Sequence, residues 1–159
     1  MAYRFFGFFA ACATAREALI DDALARWPLA RGKSISAPFT GIGLSFPDYE
    51  RGATDDEVER LEAPINTIEE DLAEFSRRWP GLTFVWMQAD CSGGTCFYEG
   101  FTCRDGEVLS RHPYGRTLSP LLAALGVQAG PDEIFEPFAR GYFYDAPSLP
   151  SALDHSYWH

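Results

Sequence analysis

Two dipeptides, Gly93-Gly94 and Asp105-Gly106, cut the stretch 82–112 into three runs of strand-forming residues and leave it few ways to fold. Leu82–Asp90 is rich in aromatic and β-branched residues and is bounded by Pro80-Gly81 and Ser92-Gly93-Gly94. It is too short for a buried helix and reads as a strand. A two-residue loop at Gly93-Gly94 sets Trp86 opposite Phe101, Phe84 opposite Cys103 and Met87 opposite Gly100. The first two pairs share a face, which is taken as the core. Asp-Gly suits the positive φ angles of a type I′ turn and returns the chain as Glu107–His112. A three-stranded antiparallel meander over 82–112 is the expected centre of the fold.

Tyr3–Ala11 carries Phe5, Phe6, Phe8 and Phe9, apolar on both faces, as an interior strand requires. FFGFFAACA after a single Arg4 resembles a short signal peptide or an acylation site at Cys12, but the polar leader is four residues long and the strand reading is preferred. Thr14-Ala-Arg-Glu17 matches a capping box, followed by a helix to about Trp27 that Pro28 ends. Leu29–Pro47 reads as an edge strand or irregular extended segment, weakened by its Pro and Gly residues. Thr54-Asp-Asp-Glu57 is a second capping box. Val58, Leu61, Ile65, Ile68, Leu72, Phe75 and Trp79 then recur at spacings of three and four, an amphipathic stripe. Because the stripe keeps phase across Pro64, either a kinked helix or two helices in line, the second starting at Pro64, is expected. Both helical segments end in Arg-Trp-Pro, at 26–28 and 78–80.

Pro113–Arg116 reads as a loop and Leu118–Leu125 as a short helix. From about residue 130 the chain is rich in Pro and aromatics and is expected to wrap the scaffold. His155 and His159 have the i, i+4 spacing of helical zinc ligands but lie at a chain end, where a solvated tail is the plainer reading. The whole, 1–159, is expected to form a single α+β domain: an antiparallel sheet built on the meander and the N-terminal strand, with helices packed on one face.

The net charge is −10, from 23 acids and 13 bases. Its distribution is uneven. Residues 48–74 hold eleven acids against Arg51 and Arg60, so nearly all of the imbalance belongs to one segment. Acids near the helix start complement its dipole, which accounts for Asp55, Asp56 and Glu57. Glu69, Glu70, Asp71 and Glu74 lie towards the far end of a single long helix, where negative charge is unfavourable, and no lysine is interspersed. Such a face speaks to partners rather than to fold. In size, acidity and this 48–74 segment the chain resembles the immunity proteins of bacterial toxin systems. That resemblance implies a cytoplasmic inhibitor that docks a basic toxin domain and occludes its active site. The residues expected to face the partner are Asp55, Asp56, Glu59, Glu62, Glu69, Glu70 and Glu74.

The alternative is a small enzyme using Cys91 and Cys96, which the register places opposite each other, with Glu99 and His112, opposite each other if the second turn has two residues. Cys91, Cys96, Cys103 and His112 are also the candidate metal or redox group, though C-x₄-C is not a usual zinc spacing. Small buried apolar side chains are the plainer reading of the cysteines, and no cofactor or metal is expected. The Ser92-Gly93-Gly94 turn offers backbone N–H groups to an anion, but turn geometry explains it more simply. A structural subunit packing through Trp158 and the other C-terminal aromatics is a third possibility. Four cysteines do not make a disulfide framework and favour a reducing cytoplasm. Nucleic acid is disfavoured by charge, and no apolar run reaches the length of a membrane span.

Overall fold

The computed structural model describes residues 3–128, 135–139 and 141–144. Its elements run β1 (Tyr3–Ala11), α1 (Arg16–Arg26), β2 (Arg31–Ile35), β3 (Gly41–Phe46), α2 (Asp55–Asn66), α3 (Ile68–Ser76), β4 (Phe84–Ser92), β5 (Thr95–Arg104), β6 (Glu107–Gly115) and α4 (Ser119–Ala123), followed by two short 3₁₀ turns. The strands form one sheet in the order β2-β3-β1-β4-β5-β6, every neighbouring pair antiparallel. The fold is α+β, and β4–β6 are the expected meander.

The strand alternation of β1 and β4 explains why both faces of the sheet are covered. Phe8, Ala10, Phe84 and Trp86 point to one face, where Leu19, Ala23 and Trp27 of the α1 region and Ile68, Leu72 and Phe75 of α3 pack over them. Phe5, Phe9, Val85 and Met87 point to the other, under Leu121 and Leu122 of α4 and under Phe135, Phe138 and Phe143. Helices α1, α2 and α3 share the first face, and α4 caps the second. Of the C-terminal wrap expected from about 130, these three phenylalanines are buried; the Asp154–His159 tail, with His155, Trp158 and His159, lies outside the described residues.

The register around Gly93-Gly94 is the expected one, with Trp86 opposite Phe101, Phe84 opposite Cys103 and Cys91 opposite Cys96. Asp105 and Gly106 both adopt positive φ, as the Asp-Gly turn requires. Gly100 is required where β5 passes β4, because a Cβ there would collide with the Trp86 carbonyl oxygen.

Several details differ from the sequence reading. Leu29–Pro47 is a hairpin, β2 and β3, and β3 is an interior strand with Ile42 and Leu44 fully buried. Its glycines are packing devices: a Cβ on Gly43 would stand 2.8 Å from the Phe9 ring. The first capping box does not form, since the N-cap of α1 is Ala15 in the left-handed region with no side-chain cap. The second does begin as expected, with the Glu57 N–H donating to Thr54 Oγ1 at 3.2 Å. Pro64 sits within α2 and the helix breaks at Thr67, not at the proline. Pro113–Gly115 continues β6 rather than forming a loop, which an edge strand tolerates.

Candidate functional site

The acidic segment occupies two helices of unequal support. In α3, Ile68, Leu72, Ala73, Phe75 and Ser76 are buried; in α2 no residue is. Val58, Leu61 and Ile65, the inward stripe of α2, are only half-buried. Ser76 ties α3 down: its Oγ donates to the Ala73 carbonyl at 2.6 Å and accepts the Gly106 N–H at 2.8 Å, joining the helix end to the β5–β6 turn. Just beyond α3, Arg78 and the Trp79 indole N–H both donate to the Asp22 carboxylate of α1, at 2.9 and 2.8 Å. The Arg78 hydrogen bond holds the Asp22 carboxyl below its ordinary range, with burial opposing and Trp79 assisting.

The break at Thr67 changes the reading of the charge. Glu69, Glu70 and Asp71 are the first turn of α3, where negative charge suits the helix dipole, so their position needs no partner to explain it. Glu69 is also gripped by Arg111 of β6, whose Nε donates at 3.1 Å, and Asp71 pairs with Arg26 of α1 at 2.9 Å. Asp48 pairs with Arg4 through two bonds of 2.9 and 2.6 Å. Among the described residues, Asp55, Asp56, Glu57, Glu59, Glu62, Glu70 and Glu74 form no ion pair. Of these only Glu62 is partly covered. Asp55, Asp56 and Glu57 complement the α2 dipole. Glu59, Glu62 and Glu74 have neither ion pair nor dipole to account for them.

Beneath α2 the sheet changes character. On the helix-covered face β1 reads Phe8, Phe6, Arg4; β4 reads Phe84, Trp86, Gln88; β5 reads Cys103, Phe101, Glu99. Each strand turns from apolar to polar where the cover of α1 and α3 runs out. Two hollows of about 430 and 210 Å³ lie there, sharing Ile65, Asn66 and Gln88. Glu69 and Glu99 line the larger, Asp48 and Glu62 the smaller. The sequence reading missed this trough. The loss of apolar residues at Arg4, Gln88 and Glu99 along otherwise aromatic strands is the signal for it.

No family model, curated protein or solved structure matches the chain.

Of the cysteine and histidine candidates only Cys91 and Cys96 come together; Cys103 and His112 do not join them. Cys91 and Cys96 form a disulfide across β4 and β5. Cys91 is buried on the α4 side of the sheet with Met87 and Ala89, opposite to the face of Glu99. In the β5–β6 pair the register shifts by one residue around Leu109, so His112 stands opposite Gly100 instead of Glu99. His112 Nε2 donates to the Thr117 carbonyl at 2.8 Å. Burial pushes the Cys103 thiol up to about 12, which leaves it a poor nucleophile and a poor ligand. Among the described residues no group of three or more His, Cys, Asp and Glu could hold a metal ion. No described helix is long and apolar enough to cross a membrane.

Proposed function

We propose that this protein is an acidic binding module that neutralises a basic protein partner, most closely in the manner of an immunity protein occluding the active site of a bacterial toxin domain in the cytoplasm. The observation that carries it is α2. A helix with no buried residue contributes little to the stability of the fold, yet it presents Asp55, Asp56, Glu57, Glu59 and Glu62, none of them in an ion pair. A helix kept only for stability would intersperse several lysines or arginines at i+4 positions; α2 has a single base, Arg60, four residues after Asp56, and it forms no ion pair.

The binding surface comprises Asp55, Asp56, Glu59 and Glu62 of α2 with Glu70 and Glu74 of α3. Glu69 belongs to it as the paired acid at its edge. Single-sign surfaces of this kind steer encounter and discriminate partners, and aromatic anchors supply the affinity. Nucleic acid is not the target, because phosphates meet carboxylates here. The Cys91–Cys96 disulfide removes the cysteine-based argument for a reducing compartment; the cytoplasmic setting follows from the partner reading.

The test is binding to the product of the adjacent gene across ionic strength. Between about 0.01 and 1 M salt the Debye length falls from about 30 to about 3 Å, so association should slow and weaken steeply. Salt-independent binding, or binding unchanged by charge reversal at Glu59 and Glu74, contradicts the reading.

A further inference from the structure

The trough under α2 already shows how it handles a cation. Arg4 lies on its wall, bonded through two nitrogens to Asp48, with its guanidinium 5.2 Å from the Phe6 ring centre and 5.0 Å from that of Tyr49. Burial works against that charge, but the Asp48 contact overcomes it and the pKa is raised. A carboxylate in line with a planar cation and aromatic faces against it is the environment that suits arginine better than lysine.

The adjoining part of the trough repeats the composition, and its own arginine, Arg111, is taken up by Glu69. Trp86 and Phe101 form its floor, Glu99 and Gln88 stand beside each other on β5 and β4, and Gln88 also borders the smaller hollow, where Glu62 of α2 lies. Glu62, Gln88 and Glu99 are half-buried, and among the described residues none has a side-chain hydrogen bond or ion pair. Each hollow thus holds one carboxylate satisfied by the protein's own arginine, Asp48 or Glu69, and one left open, Glu62 or Glu99. The open carboxylates do not converge on a point as metal ligands would. A planar cation with donors on several edges fits Glu99 beside Gln88.

We propose that this hollow receives an arginine side chain of the basic partner, its guanidinium at Glu99 and Gln88 and against the Trp86–Phe101 floor. This rests on the binding-module reading and adds to it the residue type that is recognised and its seat. The acids of α2 and α3 draw the partner in; the trough selects arginine over lysine.

Nona-arginine and nona-lysine peptides separate the two roles. By fluorescence anisotropy the protein should bind nona-arginine about tenfold more tightly, a difference of about 1.4 kcal/mol. The Glu99→Gln variant should lose that preference and keep its affinity for nona-lysine. An Asp55→Asn/Asp56→Asn/Glu59→Gln variant should weaken both peptides alike. The Trp86 indole resonance should move with nona-arginine and stay with nona-lysine. Equal affinities in the parent protein, or a preference that survives in Glu99→Gln, overturns the trough while leaving the electrostatic reading standing. If neither peptide binds, both fall. Displacement of the peptide by an equivalent of free L-arginine would make the hollow a small-molecule site and overturn the assignment to a protein partner.

Discussion

Helices α2 and α3 follow one another with a single residue between them and share one apolar stripe, yet they are held in opposite ways. Leu72 of α3 is fully buried against the sheet, and the helix is fastened at its end by Ser76. Two of its acids, Glu69 and Asp71, are met by arginines from β6 and α1. The corresponding stripe of α2 stops at half-burial over a polar trough, and its acids meet nothing. Packing and partial neutralisation go together in α3, where Glu70 and Glu74 alone stay unpaired; exposure and uncompensated charge go together in α2. The lesson is that one sequence pattern serves two purposes, the first half presenting charge and the second closing the core.

The largest expected effect is on stability. Leu72→Ala should cost about 2–5 kcal/mol in urea denaturation, the range for a fully buried leucine, whereas Leu61→Ala should cost about 1 kcal/mol because its side chain is half-exposed. Equal losses would erase the distinction between the helices. Next, Thr54→Ala removes the only side-chain cap of α2 and should cost that helix about 1 kcal/mol. The loss should show as faster amide exchange within α2, while the global denaturation midpoint barely moves, since weakly packed elements open locally. A global shift of the same size would mean that α2 is integral to the core.

How much of this the sequence disclosed can be argued from particular residues. The meander and its register were legible because Gly93-Gly94 permits one short turn and the aromatic pairs agree with it. The break at Thr67 was not, because the apolar stripe keeps its phase through it and Pro64 drew attention to the wrong residue. The slip of His112 away from Glu99 arises from one extra residue near Leu109 in β6, and a bulge leaves no mark in an alternating edge strand. Of the candidate site, the acids were legible by counting. Which of them the protein neutralises itself was not, because Arg4, Arg26 and Arg111 come from distant parts of the chain.

A smaller effect sharpens the comparison through pH. The carboxyl of Asp22 has a folded pKa depressed below its unfolded value, chiefly by Arg78. Its contribution is therefore present above the unfolded carboxylate range and is lost as pH falls through the lowered folded value. Asp22→Asn should flatten that part of the acid denaturation curve. Glu59→Gln and Glu74→Gln, which remove unpaired acids, should leave it unchanged and alter stability by no more than about 0.5 kcal/mol. Smallest of all, Cys103 should resist alkylation at neutral pH in the folded protein and react only on unfolding, because burial holds its thiol at about 12.

The central claim is that α2 is the element a basic partner covers. Amide hydrogen exchange, measured with and without nona-arginine, tests it directly. The account predicts that exchange in Asp55–Asn66 slows markedly on binding while α3, already packed, changes little. Protection confined to α3, to the α4 side of the sheet or to no element at all would contradict it.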